Sequence, residues 1–264
     1  MGDGTRENPY TREDVRRLIK EHGDKGDGLN LSEKYFEAGI DLRGFDLKGI
    51  ILHLAHLEEA NLEFAHLEEA ILGHAHLERA DLFNAQLEGA YLWGAEFSPE
   101  TSLQGADWGN FILKEERSLR FGMAANTYRR LKIWHTNAGI YNIAGKFFYR
   151  EMEAKRKAQN WKKKPHLKLW DWVMRLLCGY GEKPERVVVS ALVIIFGLAI
   201  AYRFGGLSLP YSIYYSFVSF TALGYGSWVP VPTDWVKGLG VAEAVIGVFM
   251  MALFLVTFTK KTTR

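Results

Sequence analysis

From residue 40 to residue 113, large apolar residues return at every fifth position. Starting at Leu42 the series is Leu47, Leu52, Leu57, Leu62, Leu67, Leu72, Leu77, Leu82, Leu87, Leu92 and Phe97. The positions two before each are Ile40, Phe45 and Ile50, then alanine at every step from Ala55 to Ala95. After a one-residue slip near Pro99 the series resumes at Leu103, Trp108 and Leu113. A period of five matches neither the 3.6 of a helix nor the 2.0 of a strand. It requires a chain that turns a corner after each repeat. The large residue fills the interior, and alanine sits where backbones come close.

The pattern differs on either side. Thr11 to Asp14 predicts a capping box, with Val15, Leu18 and Ile19 on one helical face and Gly23 as the stop. Such a helix covers the open end of a repeat stack. Asp24 to Gly28 lacks the alternating carboxylates and closing Glu of a calcium loop and reads as a plain turn. After the repeat, Ala124, Tyr128, Leu131 and Ile133 predict one apolar helical stripe. Tyr141, Ala144, Phe147 and Phe148 predict another, with Gly139 as the turn between them. Lys155, Arg156, Lys157 and Lys162 to Lys164 then precede Leu167, Leu169, Trp170, Trp172, Val173, Leu176 and Leu177. Basic residues with Trp on an amphipathic helix suit an anionic lipid surface at the cytoplasmic side.

The last segment is apolar. Residues 187–202 carry no charge, and Arg203 can snorkel, so a span is predicted over 187–207. A second span is predicted over 236–259, whose apolar run from Leu239 to Thr259 has Glu243 as its one charged residue. A short helix at 210–221 lies between them, too short to cross. The predicted organisation is a cap (1–28), a repeat stack (29–113), a helical hairpin (114–160), a basic amphipathic helix (161–186) and a two-span membrane segment (187–264).

Ala60 to Phe64 (ANLEF) and Ala80 to Asn84 (ADLFN) resemble pentapeptide repeats. That resemblance implies a right-handed, square-section β-helix with four repeats per coil. Residues twenty apart then stack, one strand spacing of ~4.8 Å from each other. Glu59 falls over Arg79, an exposed ion pair worth little. His56 falls over His76 on an outer face. The scattered histidines, these two included, lie at repeat-surface positions and not at metal-ligand spacing.

Charge sharpens the division. Residues 1–113 hold 10 Lys/Arg against 22 Asp/Glu, residues 114–186 hold 18 against 7, and residues 187–264 hold 5 against 2. The formal net charge of +2 therefore describes no single part. Positive charge before residue 187 and after Thr259 predicts cytoplasmic termini and an outer loop. The first twenty residues are polar, so no cleavable signal peptide is read there. A single Cys, Cys178, excludes a disulfide scaffold and multi-Cys metal sites.

Between the spans, Thr221-Ala-Leu-Gly-Tyr-Gly226 follows the short helix. Irregular backbone at membrane depth is tolerated only when buried in protein or lining a water-filled path. Two glycines around one Tyr suit a backbone that turns its carbonyls to one side. The order of span, short helix, Gly-Tyr-Gly and span resembles the two-transmembrane potassium channels, whose filter is TVGYG in four copies. The resemblance covers about 187–259. It implies a homotetramer in a cell membrane that holds K+ on the carbonyls of Ala222, Leu223, Gly224, Tyr225 and Gly226. In that register Thr221 ends the pore helix, and Tyr214 and Tyr215 brace the filter. Gly247 falls at the inner-helix hinge, or is simply a close helix contact. Met251, Leu255 and Thr259 face the cavity and inner gate. Glu243, an intramembrane carboxylate, is read as filter support behind the pore helix, bracing Tyr225 or loop amides.

Three residues depart from that family. Ala222 stands where a filter Thr is usual, Leu223 where Val is usual, and Ser227 where Asp is usual. The first departure keeps open a non-selective monovalent cation channel. The acidic repeat keeps open a membrane-tethered binding protein that mimics nucleic acid, as some pentapeptide-repeat proteins do. No Arg-rich voltage-sensing helix, nucleotide-binding Gly-rich turn or catalytic triad is visible, so neither an enzyme nor an organic cofactor is expected. No metal is expected beyond K+ at the filter, and no nucleic-acid partner.

Overall fold

The computed structural model describes residues 2–159, 165–223 and 234–262. The chain forms two compact units, Met1–Gln159 and Asn160–Arg264.

In the first unit the repeat coils back over itself. Asp41 pairs with Asn61, Ile51 with Ile71, His56 with His76 and Asp46 with His66, all in parallel. Among the described residues these pairs continue up the stack in four columns. Each is a single bridge, because the chain turns straight after it. The N–H of Ala55 returns to the carbonyl of Leu52 at 3.2 Å, and that of Ala70 to Leu67 at 3.1 Å. Successive coils are therefore joined by ladders one residue wide, and the extended strands of the expected β-helix are not found among the described residues. The slip at Pro99 is absorbed as a change of register: Asp81 pairs with Ser102 and Gln86 with Asp107, twenty-one residues apart. The stack also begins before the regular repeat, since Asn30 pairs with Ile51 and Tyr35 with His56.

The corner geometry explains the spacing. From Leu42 to Leu92 the second residue after each large apolar residue takes the left-handed region. Gly44 does so at φ +64 with open space where a side chain would stand. Glu59, Phe64 and Arg79 do so without glycine, at φ 62, 56 and 58. Left-handed backbone costs such residues roughly 1–2 kcal/mol each. The ladder bonds and the buried interior offset that cost. Leu62, Leu67 and Leu72 and the alanines from Ala55 to Ala95 are inaccessible to solvent.

Helices close both ends. At the start, α1 (Arg12–Glu21) is capped reciprocally: Asp14 donates its N–H to Thr11 Oγ1 and accepts that of Thr11 at its carboxylate. Backbone N–H groups of Gly2 and Thr11 hold the Asp14 carboxyl down at about 2. At the far end come α2 (Lys114–Arg117), α3 (Phe121–Asn137) and α4 (Tyr141–Ala158). Glu115 of α2 accepts the Leu92 N–H and the Thr127 hydroxyl, both at 3.1 Å, and burial pushes its carboxyl up. Phe147 of α4 meets the Trp108 ring edge-on at 5.0 Å, so the hairpin seals the last coil.

Two residues leave the expected stripes. Ile133 is half exposed, because two positions beyond Leu131 a helix has turned by about 200°. Tyr141 is exposed at the first residue of α4, before that helix reaches its partner. Between α3 and α4, buried Glu151 accepts from Arg129, Lys132 and Lys155 at 3.2, 2.8 and 2.5 Å. Burial pushes its carboxyl up, but the three cations outweigh this and hold it below the ordinary value.

The second unit contains α5 (Pro165–Cys178), α6 (Pro184–Phe204), α7 (Leu209–Thr221) and α8 (Asp234–Thr262). Helices α6 and α8 are long and apolar enough to cross a membrane. The first starts three residues before the expected span and stops three short of it, where Gly205 donates to Ala201 and the chain turns. Helix α5 turns Leu169, Trp172 and Leu176 outward, three positions of one helical stripe. Lys162 to Lys164 lie outside the described residues, as do the side chains of Leu167 and Trp170.

Leu72→Ala is expected to destabilise the first unit by about 2–5 kcal/mol, the range for opening a cavity in a packed core. Leu54→Ala, on the outside of the same stack, should change little. Thermal unfolding of the two variants tests this, and equal melting shifts would refute the interior assignment. Glu151→Gln should cost about 1–3 kcal/mol at neutral pH, because it removes charge-assisted hydrogen bonds to three cations that solvent still reaches. The wild-type advantage is full above the ordinary glutamate range. It fades as pH falls through the lowered Glu151 value, which a pH series of denaturant midpoints measures.

Candidate functional site

Helix α7 is too short to span, so its ends must be satisfied inside the protein. Pro210 sits in its first turn, where a missing N–H costs nothing. At the other end Ala222 takes the left-handed conformation at φ +55. Its N–H bonds the Ser219 carbonyl at 3.0 Å, and the N–H of Leu223 bonds that of Val218 at 3.3 Å. This pair of bonds is a Schellman cap, which ends the helix and redirects the chain. Thr221 turns its hydroxyl back onto the Phe217 carbonyl at 2.8 Å. The negative end of the helix dipole therefore lies at Thr221 and Ala222, where it favours a nearby cation. Gly224, Tyr225 and Gly226 of the expected filter, and Ser227, lie outside the described residues.

Behind α7, one carboxylate joins three helices. Glu243 of α8 is fully buried. Its Oε2 accepts from the Tyr202 hydroxyl of α6 and its Oε1 from the Ser216 hydroxyl of α7, both at 2.5 Å. Ser216 Oγ also lies 2.7 Å from the Ile195 carbonyl of α6. A polar group away from water needs such partners, since leaving it unpaired costs roughly 1–3 kcal/mol or more. Tyr215 is buried beside this cluster, edge-on to Tyr202 at 4.9 Å. Tyr214 is half-buried one position earlier on the same helix.

The sequence placed Glu243 behind the pore helix. It did not identify Tyr202 and Ser216 as its partners. Both are polar residues in apolar runs, which was the available signal. What it lacked was the pairing of α6 with α7.

Gly247 lies one turn further along α8, against the last turn of α7. A Cβ added there would stand 1.8 Å from the Phe220 carbonyl oxygen and 2.7 Å from its carbon. The backbones meet at a distance only glycine permits, so the contact reading of Gly247 has direct geometric support. Phe220 itself is buried among Val187, Ile195 and Met250. Met251 and Leu255 line an open apolar groove of about 350 Å³ with Phe220 and the Val188 and Leu192 side of α6. Thr259 is exposed near the end of α8.

On the repeat face His56 lies over His76, as the twenty-residue coil predicts. His56 and His76 stack at 4.5 Å between centroids with planes 8° apart, and Tyr35 stacks on His56 at 3.9 Å. Glu58, Glu78 and Glu96 surround them. The expectation that the histidines avoid ligand spacing is overturned here, because a twenty-residue step along the chain is one rung in space. Glu59 and Arg79 pair at 2.7 Å on an exposed corner.

Comparison with known proteins divides the chain in the same way. Residues 188–264 match the family described as Ion channel. Residues 38–73 and 60–98 match Pentapeptide repeats, in eight copies. Among solved structures, the chain is similar to a pentapeptide repeat protein from the cyanobacterium Cyanothece 51142. That match has 36% identity over 30% of this chain and 55% of that one, with a TM-score of 0.22. It is also similar to a pentapeptide repeat protein from the Arabidopsis thaliana thylakoid lumen, at 23% identity over 33% of this chain and 62% of that one, with a TM-score of 0.11. The chain thus spans under two thirds of either. No curated protein matches it. The chain carries an ion-channel segment with two apolar helices and a pentapeptide-repeat segment, and it is a membrane protein.

Gly247→Val is expected to destabilise the second unit by about 1–3 kcal/mol or more, the cost of overpacking. Gly247→Ala should fall between it and wild type. A variant that melts with wild type in detergent would show that α7 and α8 do not meet there.

Proposed function

We propose that the chain is one subunit of a homotetrameric channel selective for potassium, and that the backbone of residues 222–226 supplies one quarter of its filter. The observation that carries this reading is the placement of Ala222. A short helix between two apolar helices ends there in a left-handed cap, directly before Leu223-Gly-Tyr-Gly226. Carbonyls of Ala222, Leu223, Gly224, Tyr225 and Gly226 from four chains replace the water around a dehydrated K+. Four copies are needed because each chain holds one such loop.

The other residues then have definite tasks. Thr221 and the end of α7 direct a negative dipole toward the ion path. Glu243, Tyr202 and Ser216 fix α7 against both spans, while Tyr214 and Tyr215 brace the filter from behind. Gly247 lets α8 approach α7 and is the natural bending point of the inner helix. Met251, Leu255 and Thr259 line the cavity and the inner mouth, where Leu255 gates by dewetting. Both termini lie on the cytoplasmic side of the cell membrane, on the side of the positive charge. The basic stretch around α5 rests on anionic lipid headgroups. The stacked bridges of the first unit form a quadrilateral β-helix that supports assembly or regulation. The chemistry is passage of an ion, with no enzymatic step.

One residue favours a second reading. Ala222 lacks the hydroxyl that potassium-channel filters carry at that position, so the innermost site keeps carbonyls alone. A non-selective monovalent cation channel follows if that hydroxyl sets the discrimination.

Purified protein in liposomes separates the two. The reversal potential should follow the K+ gradient and ignore Na+, and Ala222→Thr should move it further toward the K+ value. Equal permeability to both ions establishes the second reading, and no flux of either removes the channel. Leu255→Ser should raise the resting leak several-fold, and an unchanged leak places the gate elsewhere.

A further inference from the structure

We propose that the repeat stack binds one divalent transition-metal ion of the Zn2+ class on the face carrying His56, Glu58, His76, Glu78 and Glu96. The inference concerns the first unit alone and does not depend on the channel reading.

The site is a product of the repeat. AHLEEA at 55–60 and AHLERA at 75–80 are the same segment twice, twenty residues apart. The parallel bridge between His56 and His76 sets the two copies one above the other. Ligand atoms of His56, Glu58 and His76 lie within 4.8 Å of one another, and those of His76, Glu78 and Glu96 do likewise. The individual approaches are 3.0 Å from His56 Nδ1 to Glu58 Oε1, 3.5 Å from His76 Nδ1 to Glu96 Oε2, and 3.9 Å from His76 Nδ1 to Glu78 Oε1.

The donor chemistry selects the ion. Zn2+ takes imidazole nitrogen and carboxylate oxygen at about 2.0–2.2 Å, often as two His and one Glu with water completing the shell. Two nitrogen donors disfavour Ca2+ and Mg2+, which take oxygen. Surrounding carboxylates add attraction for any divalent cation.

Binding needs a small rearrangement. An ion cannot lie in the planes of two parallel rings at once. Each imidazole therefore turns about its Cβ–Cγ bond, and the bridging carboxylates close by about an ångström. Both rings are half-buried, and turning His56 gives up its stacking on Tyr35 and His76, a loss that the metal bonds must offset. The proton that Nδ1 of His56 shares with Glu58 moves to Nε2, leaving the Nδ1 lone pair for the ion. The opposite face supplies a control. There His66 faces Glu68 at 3.7 Å, but the residue twenty further on is Gln86, so a second imidazole is missing.

The test is calorimetric titration of ZnCl2 into the full-length, chelator-treated protein in detergent. One ion should bind per chain. His56→Gln and His76→Gln should each weaken binding by about tenfold or more, and His66→Gln should leave it unchanged. The circular dichroism of the variants should match wild type, and loss of the ring stack should lower the melting temperature only slightly. Cobalt substitution gives a readout from wild type alone: its visible bands should take the intensity of a four-coordinate nitrogen and oxygen site. No Zn2+ binding by wild type overturns the proposal. So does a His56→Gln/His76→Gln double variant that binds as tightly as wild type.

Discussion

A backbone N–H or C=O kept from water must find a partner, or it costs several kcal/mol. Both units of this chain are answers to that constraint. The repeat answers it by turning a corner after every fifth residue and pairing each coil with the next. The ladder is only one residue wide, yet it repeats with little interruption from Asn30 to Asp107. The second unit answers it with helices, whose backbone bonds are internal. Where a helix must stop, at Thr221, the loose groups are taken up by the Ala222 and Leu223 N–H groups and the Thr221 hydroxyl.

The corners have a cost that the interior must offset. Residues such as Glu59 and Phe64 hold a backbone conformation that most side chains avoid. They remain there because the neighbouring leucine and alanine are locked in a core without solvent. Change of register at Pro99 is tolerated for the same reason: the extra residue bulges, and Leu103 and Trp108 return to the interior. The stack then ends on Phe147 and on the Glu115 carboxylate of α2, which accepts the Leu92 N–H.

In the second unit, polar side chains act as joints. Glu243 engages α6 and α7 from α8, and it does so within one helical turn of the Gly247 contact with Phe220. A directional bond and a steric fit therefore hold the same pair of helices. The two are complementary, since apolar side chains gain little by leaving lipid for one another, and close packing and hydrogen bonds decide helix association.

The amino-acid sequence by itself determined the repeat, the capping helix and the two spans. These follow from local periodicity and propensity, which any chain segment carries within itself. It also marked Glu243 and Gly247 as exceptional, since a carboxylate and a glycine in an apolar helix need a reason. Only the tertiary structure decided the rest. Tyr202 and Ser216 became partners of Glu243 because three helices converge, and no spacing along the chain encodes that meeting. Glu58, Glu78 and Glu96 gathered around the stacked His56 and His76 through side-chain placement that the repeat alone does not specify. Side-chain chemistry is written residue by residue, but proximity is a property of the folded whole.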